Sequence, residues 1–387
     1  MVWWNKLRLK STSPEVRRKA LESLDVTENT RARSLGLLLA GLGDEDAQVR
    51  CVAVKGLEQI PDDQAMAARI AALRDPASIV RESAAASLGR LGDSRSFPHL
   101  VGLLRDAHPG MRTAAGVALR GLGWKPPTGE EQALYDVALG HARAAAFAGQ
   151  AAVTALVTEL THDTGFKRRA AAEALEEVDD PRAIQPLLAA LNDPDPTVRV
   201  SAIHALSKDT SGNVTLQLLE RFRDPEPCVR LAATEVLAKR SEPALAPDFL
   251  GLLGDPNFEV RLSAVQFLGR IPHPDIAQAL LPLLTDSDSD VRQAAAQSLG
   301  TIGESAAIGA LVMALTDEER AVRQAAELAL GRIDPDWARS ETAQRTAPHL
   351  EAALNDPRGW VRSAAAQVLA RLHTSNTSFQ AVGLQST

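Results

Sequence analysis

Asp75-Pro76-Ala77-Ser78-Ile79-Val80-Arg81-Glu82-Ser83-Ala84-Ala85-Ala86-Ser87-Leu88-Gly89 decides the fold, because it recurs along the chain. In a second copy, Val260, Ser263, Ala264, Phe267 and Leu268 fall at i, i+3, i+4, i+7 and i+8, the spacing of one α-helical face. We term this helix B. Asp-Pro precedes it at Asp75-Pro76, Asp193-Pro194, Asp224-Pro225, Asp255-Pro256 and Asp356-Pro357. Asp is expected to cap free amides there, with Pro at the first helical position. Gly follows at Leu88-Gly89, Leu268-Gly269, Leu299-Gly300 and Leu330-Gly331, where a left-handed C-terminal turn at this Gly or just beyond it is expected. A second helix, A, follows, as at Ile184 to Leu191, Ala277 to Leu284 and Ile308 to Leu315. The unit is a helical hairpin.

The dipeptide of an apolar residue and Arg fixes the period. Val49-Arg50, Val80-Arg81 and Met111-Arg112 are evenly spaced, and Val198-Arg199, Val229-Arg230, Val260-Arg261, Val291-Arg292 and Val322-Arg323 repeat the same step (81 − 50 = 230 − 199 = 31). Lys167-Arg168 keeps this frame, whereas the steps from Val16-Arg17 to Val49-Arg50 and from Val322-Arg323 to Val361-Arg362 are longer. Such a period means stacked units that bury their apolar faces only against neighbours. The expected fold is all-α, an α-α superhelix (solenoid) of about eleven to twelve helical hairpins.

The pattern Asp-Pro-x-x-x-Val-Arg-x-x-Ala-Ala-x-x-Leu-Gly resembles the HEAT-like repeats of the phycobilin-lyase type, over about Pro14 to Leu372. That resemblance implies a right-handed superhelix with helix B on the concave side. Two interruptions divide the array. The interval from Arg112 to Arg168 falls short of two full periods, so one unit is shortened, and this stretch carries Trp124, Pro126, Pro127 and Tyr135. Eight extra residues between Arg323 and Arg362, around Asp334 to Thr346 with Trp337, predict an enlarged loop. The expected organisation is repeats over 1–123 with a capping N-terminus, an irregular unit at 124–150, repeats over 151–373 and a disordered tail at 374–387.

Ala and Leu dominate, and aromatics are only 4% of the chain, which favours close helix packing over sheet cores. The net charge of -7 argues against nonspecific nucleic-acid binding, which needs clustered Lys and Arg. Cys51 and Cys228 match neither a disulfide framework nor a zinc spacing. No run has the ~20 apolar residues of a membrane span, and Met1 to Lys10 lacks a signal-peptide core. A cytoplasmic location is expected. Val2, Trp3, Trp4, Leu7 and Leu9 alternating with Lys6, Arg8 and Lys10 suit either a cap on the first repeat or weak membrane-surface contact.

Signatures of catalysis are missing from the sequence. No two of the eight His form an i, i+4 pair, and none precedes Glu, unlike the His-Glu dipeptides that hold iron in deoxyhypusine hydroxylase, an enzyme built from similar repeats. Asp286-Ser287-Asp288-Ser289-Asp290 begins like a calcium loop, but Val291 and Gln297 replace its Gly and bidentate Glu, so a helix cap is expected. Phosphate-loop, dinucleotide and nucleophile-elbow motifs do not occur. No metal, cofactor or catalytic residue is assigned.

The row Arg50, Arg81, Arg112, Arg199, Arg230, Arg261, Arg292, Arg323 and Arg362, with one turn Asp per repeat, is read as a structural inter-repeat ladder. Recognition is sought at helix B positions that the repeat does not dictate. Counting from the Val of Val-Arg as zero, the second row holds Val200, Leu231 and Leu262, and the sixth holds His204, Glu235 and Gln266. The tenth row adds Arg90, Lys208, Lys239, Arg270, Arg332 and Arg371 as a basic edge. The expected function is a non-catalytic scaffold that binds a protein or peptide in the concave groove of the HEAT-like solenoid, with Val200, His204, Leu231, Glu235, Leu262, Gln266 and Arg270 as candidate contacts. The alternative is a bilin lyase-like or other HEAT-like enzyme subunit.

Overall fold

The computed structural model describes residues 7–383, apart from the side chains of 375–383. Every regular element among the described residues is helical. The chain forms two compact units, Met1–Lys208 and Asp209–Thr387, so the boundary falls inside the run 151–373.

In the first unit, B helices Ala47–Gly56, Ser78–Leu91 and Pro109–Gly121 lie side by side, as do Gly165–Val178 and Pro196–Ala205. In the second, Pro227–Arg240, Phe258–Leu268, Ser289–Ile302 and Arg320–Ile333 do the same. The A helices include Asp63–Ala72, Ile184–Ala190 and Ile308–Ala314. Each unit is an α-α solenoid whose core is the B stripe: Val49, Val80, Met111, Val198, Val229, Val260, Val291 and Val322 are fully buried. Burial of one such side chain is worth roughly 1.5–3 kcal/mol, which only stacking supplies.

Helix starts differ from the expectation drawn from Asp-Pro. The N-cap position lies two places beyond that Asp: Asp195 accepts from the Thr197 amide and Asn257 from Val260, as does Asp288 from Asp290 and Val291 after Asp286-Ser287, whereas Ala77 and Glu226 at the same position make no side-chain cap. The earlier Asp instead holds the turn, Asp193 Oδ1 accepting from the Asp195 amide and Asp255 Oδ1 from the Asn257 amide, both at 2.9 Å. The second Asp of the calcium-like run is thus a cap. Among the described residues no group of His, Cys, Asp and Glu could hold a metal ion.

Left-handed turns fall beyond the recurrent Gly, at Gly92 and Gly303 with φ of 77° and 82°. The recurrent Gly itself serves close approach. A Cβ on Gly89 would stand 2.7 Å from Ala118 Cα, and one on Gly300 2.6 Å from both Cα and Cβ of Ala329. Gly331, the next in the series, has nothing within 4 Å.

The interruptions are ordered. Within 124–150 the chain forms Gly129–Ala138 and the short Ala142–Ala146, and Trp124 meets Tyr135 edge-on with ring centres 5.6 Å apart. The loop at 334–346 contains the turn Trp337–Arg339 and the helix Glu341–Gln344, with Trp337 buried. Gln344 Nε2 ties it to the Leu372 carbonyl at 3.1 Å. The last helix, Gly359–Gly383, continues past Leu372, where an irregular tail had been expected. No Pro or Gly occurs between Leu372 and Gly383 to stop it. Residues 384–387 lie outside the described residues, as do Val2, Trp3, Trp4 and Lys6 of the N-terminal amphipathic run.

Candidate functional site

The Arg row is built into the fold by one repeated geometry. Arg50 Nε and Nη2 each donate to a carboxylate oxygen of Asp75 at 2.8 Å, while Nη1 donates to the Asp44 and Glu45 carbonyls at 2.8 and 3.1 Å. One guanidinium therefore closes its own turn and clasps the next. The same fork joins Arg168 to Asp193, Arg230 to Asp255, Arg261 to Asp286 and Arg292 to Asp317, always 25 residues on. Arg17 clasps Asp44 likewise. Arg199 donates to the Asp193 and Pro194 carbonyls of its own turn.

Where the period changes, the ladder changes. Position 25 beyond Arg112 is the apolar Val137, and Arg112 Nη2 instead reaches Glu159 Oε2 at 2.9 Å, 47 residues on. Both side chains are buried, and Lys167 Nζ stands 3.8 Å from the same carboxylate. His162, hydrogen-bonded through Nδ1 to the Thr164 amide, is held below its ordinary pKa chiefly by burial. This substitute partner was not visible in the sequence, since Glu159 belongs to no recurring position. Arg81, Arg323 and Arg362 bond their own turns, and none of the three reaches a side-chain carboxylate among the described residues.

Burial opposes ionisation of Asp44, Asp75 and Asp286, yet hydrogen bonds from Arg17, Arg50 and Arg261, with turn amides, outweigh it and hold all three below the usual Asp pKa. Because the folded value lies below the unfolded one, their contribution is complete above the ordinary Asp range and is lost as pH falls through the depressed values. The melting temperature is therefore expected to begin falling below roughly pH 4. A melting series in acid checks this; a flat profile would show that the clasps do not favour the ionised form.

The tenth row is also partly absorbed by the fold. Arg90 pairs with Glu58, Lys208 Nζ donates to the Glu176 carbonyl and Arg270 Nη2 to the Ala238 carbonyl, both at 3.1 Å, and Arg371 pairs with Glu327. The first three partners lie 32 residues back, near the end of the preceding B helix. Lys239 and Arg332 are exposed.

The candidate recognition residues split between the units. Val200 and His204 sit on Pro196–Ala205 of the first, the former half-buried and the latter exposed. Leu231 and Leu262 are half-buried on the adjacent helices Pro227–Arg240 and Phe258–Leu268 of the second, with Glu235 and Gln266 exposed one turn on. The second row is therefore partly consumed by contacts between B helices. Among the described residues neither the Glu235 nor the Gln266 side chain enters a hydrogen bond, and no helix is long and apolar enough to cross a membrane.

A family model described as HEAT repeats matches residues 35–120, 153–222, 214–300 and 277–370. No curated protein matches the chain. Similar solved structures include an engineered protein, 21% identical over 96% of this chain and 98% of that one, with a TM-score of 0.41. Importin β is 15% identical over 97% of this chain and 55% of its own, with a TM-score of 0.41. A Kap95:Nup1 complex contains a chain 14% identical over 97% of this chain and 55% of that one, also at 0.41. The chain thus spans about half the length of the importin-type proteins.

Proposed function

The chain belongs to the HEAT-repeat family, and we propose that it is a non-catalytic scaffold that binds a protein or peptide along exposed B-helix positions. The observation that supports this reading is a division of labour along each helix. Each ladder arginine bonds the fold's own carboxylates or carbonyls, whereas the side chains of Glu235 and Gln266, at one repeated position, are exposed and form no hydrogen bond or ion pair among the described residues. Together with the half-buried Leu231 and Leu262, and with Arg270 at the helix end, they form a mixed face of the kind that receives a peptide segment. Binding would be spread over several repeats, with no single indispensable residue. A reducing, cytoplasmic setting suits the exposed thiol of Cys228 and the buried one of Cys51, both unpaired.

Glu235→Lys with Gln266→Lys is expected to change stability by no more than about 0.5 kcal/mol, since both positions are exposed. It should abolish or weaken retention of proteins that the unaltered chain captures from its native extract. Leu231→Glu with Leu262→Glu should do the same more strongly. Identical captured sets for all three proteins, compared by mass spectrometry, would remove this face. A tetrapyrrole carried by the purified protein would move the reading to the narrower phycobilin-lyase subtype.

A further inference from the structure

We propose that the cleft between the last two B helices, Arg320–Ile333 and Gly359–Gly383, receives an acidic segment of a partner protein, one of whose carboxylates binds the Arg323 guanidinium. Elsewhere in the second unit the ladder position is filled from within, by Asp255, Asp286 and Asp317. The residue of the same register after Arg323 is Asp356, which again precedes the Val of Val-Arg by five. Asp356 is captured elsewhere: Arg358 Nε and Nη2 take its two carboxylate oxygens at 2.9 Å each. The Trp360 ring lies beside both cations, with its centre 5.2 Å from Arg358 Cζ and 6.0 Å from Arg323 Cζ. Arg323 Nη1 still holds the Asp317 and Glu318 carbonyls at 2.7 and 2.8 Å, as its counterparts hold theirs. Its Nε–Nη2 edge, which in the other clasps carries the carboxylate, bonds to no acid of this chain among the described residues.

Two further observations show that the position is open. Gly300 presses on Ala329 of the next B helix, but Gly331 meets nothing within 4 Å. Between the two helices lies a cleft of about 740 Å³, walled by Arg320, Arg323, Gln324, Glu327, Gln367 and Arg371 among others. Three arginines line the cleft with the single carboxylate of Glu327, which Arg371 pairs, so Arg320 and Arg323 leave it positive on a chain of net charge -7. That polarity selects an acidic ligand, and the planar fork selects a carboxylate over a lone halide or carbonyl. The eight-residue insertion separates the helices and leaves the fork open. This inference does not rest on the Leu231–Leu262 face.

The probe is a fluorescein-labelled peptide copying residues 282–290, whose Asp286 is the acid that Arg261 receives in the fold. Saturable binding to the full chain by fluorescence anisotropy is expected. It should weaken about tenfold or more when that Asp is Asn in the peptide, or with Arg323→Met in the protein. Gln367→Glu adds a carboxylate to an exposed part of the wall and should weaken binding without touching the turn that Arg323 closes. Helicity by circular dichroism should be unchanged in both variants. The proposal is overturned if the unaltered chain fails to bind, or if Arg323→Met and Gln367→Glu both bind as it does. Displacement by inorganic phosphate well beyond that by acetate at equal ionic strength would reassign the cleft to phosphoryl ligands and overturn it equally.

Discussion

Arg230→Met is expected to lower the unfolding free energy by about 3 kcal/mol, the cost typical of breaking a buried ion pair by removing one partner. Arg230 and Asp255 are both more than nine-tenths buried, and four hydrogen bonds of 2.7 to 3.2 Å converge on the guanidinium. Met fills much the same volume but leaves the Asp255 carboxylate with only the Asn257 amide, and leaves the Asp224 and Pro225 carbonyls without their Nη1 donor. Lys at this position keeps the charge and loses the fork, so its loss should be intermediate. Replacing Asp255 by Leu as well should recover part of the loss, since no charge is then stranded. Urea denaturation of the four proteins decides the point. A single mutant as stable as the unaltered chain would mean that the clasp is geometry without energy.

Gly300→Ala and Gly331→Ala should move stability in opposite directions, although both replace the Gly after Leu in the same repeat signature. At Gly300 the new methyl meets the Cα and Cβ of Ala329 at 2.6 Å, and a backbone atom cannot swing aside. Separation of Ser289–Ile302 from Arg320–Ile333 should cost about 1–3 kcal/mol, more than the helix propensity that Ala gains. At Gly331, inside Arg320–Ile333 with nothing within 4 Å, only the propensity gain operates, worth roughly 0.5–1 kcal/mol. Thermal or urea melts of the two variants test the pair. Equal losses would place the last B helix as close to its neighbour as the others are.

The Arg230 clasp and the Gly300 contact also mark what could be read from the sequence. The Val-Arg frame specifies hairpins and their spacing because the buried Val and the paired Arg are needed once per repeat. The need for one Asp per repeat was legible for the same reason. Which task the Asp performs was not: Asp193 and Asp195 look alike in sequence, and only the turn geometry separates the clasp from the cap. The role of Gly300 was hidden because a Gly is equally natural at a left-handed turn and at a tight helix crossing. Glu159 was invisible because Arg112 recruits it across a repeat that lost its own acid, a choice made in space. Of the candidate face, exposure of Glu235 and Gln266 follows from helical phase, while the partial burial of Leu231 and Leu262 depends on how closely neighbouring B helices approach.

The constant separation of Arg and Asp carries a consequence for how such an array can lengthen or shorten. Excising one whole period, 231–261, would bring Asp286 into the place that Asp255 now holds relative to Arg230, and the same two-pronged bond could form across the scar. Duplication of one whole period preserves the register in the same way. Gains or losses of other lengths can strand a cation, as the stretches after Arg112 and Arg323 illustrate, although the longer step after Arg17 keeps its clasp on Asp44. One of those was answered by borrowing Glu159; the other was left open, so an error of length became a vacancy on the surface. Copy number can therefore drift freely by integers, while fractional steps are where new specificity can begin.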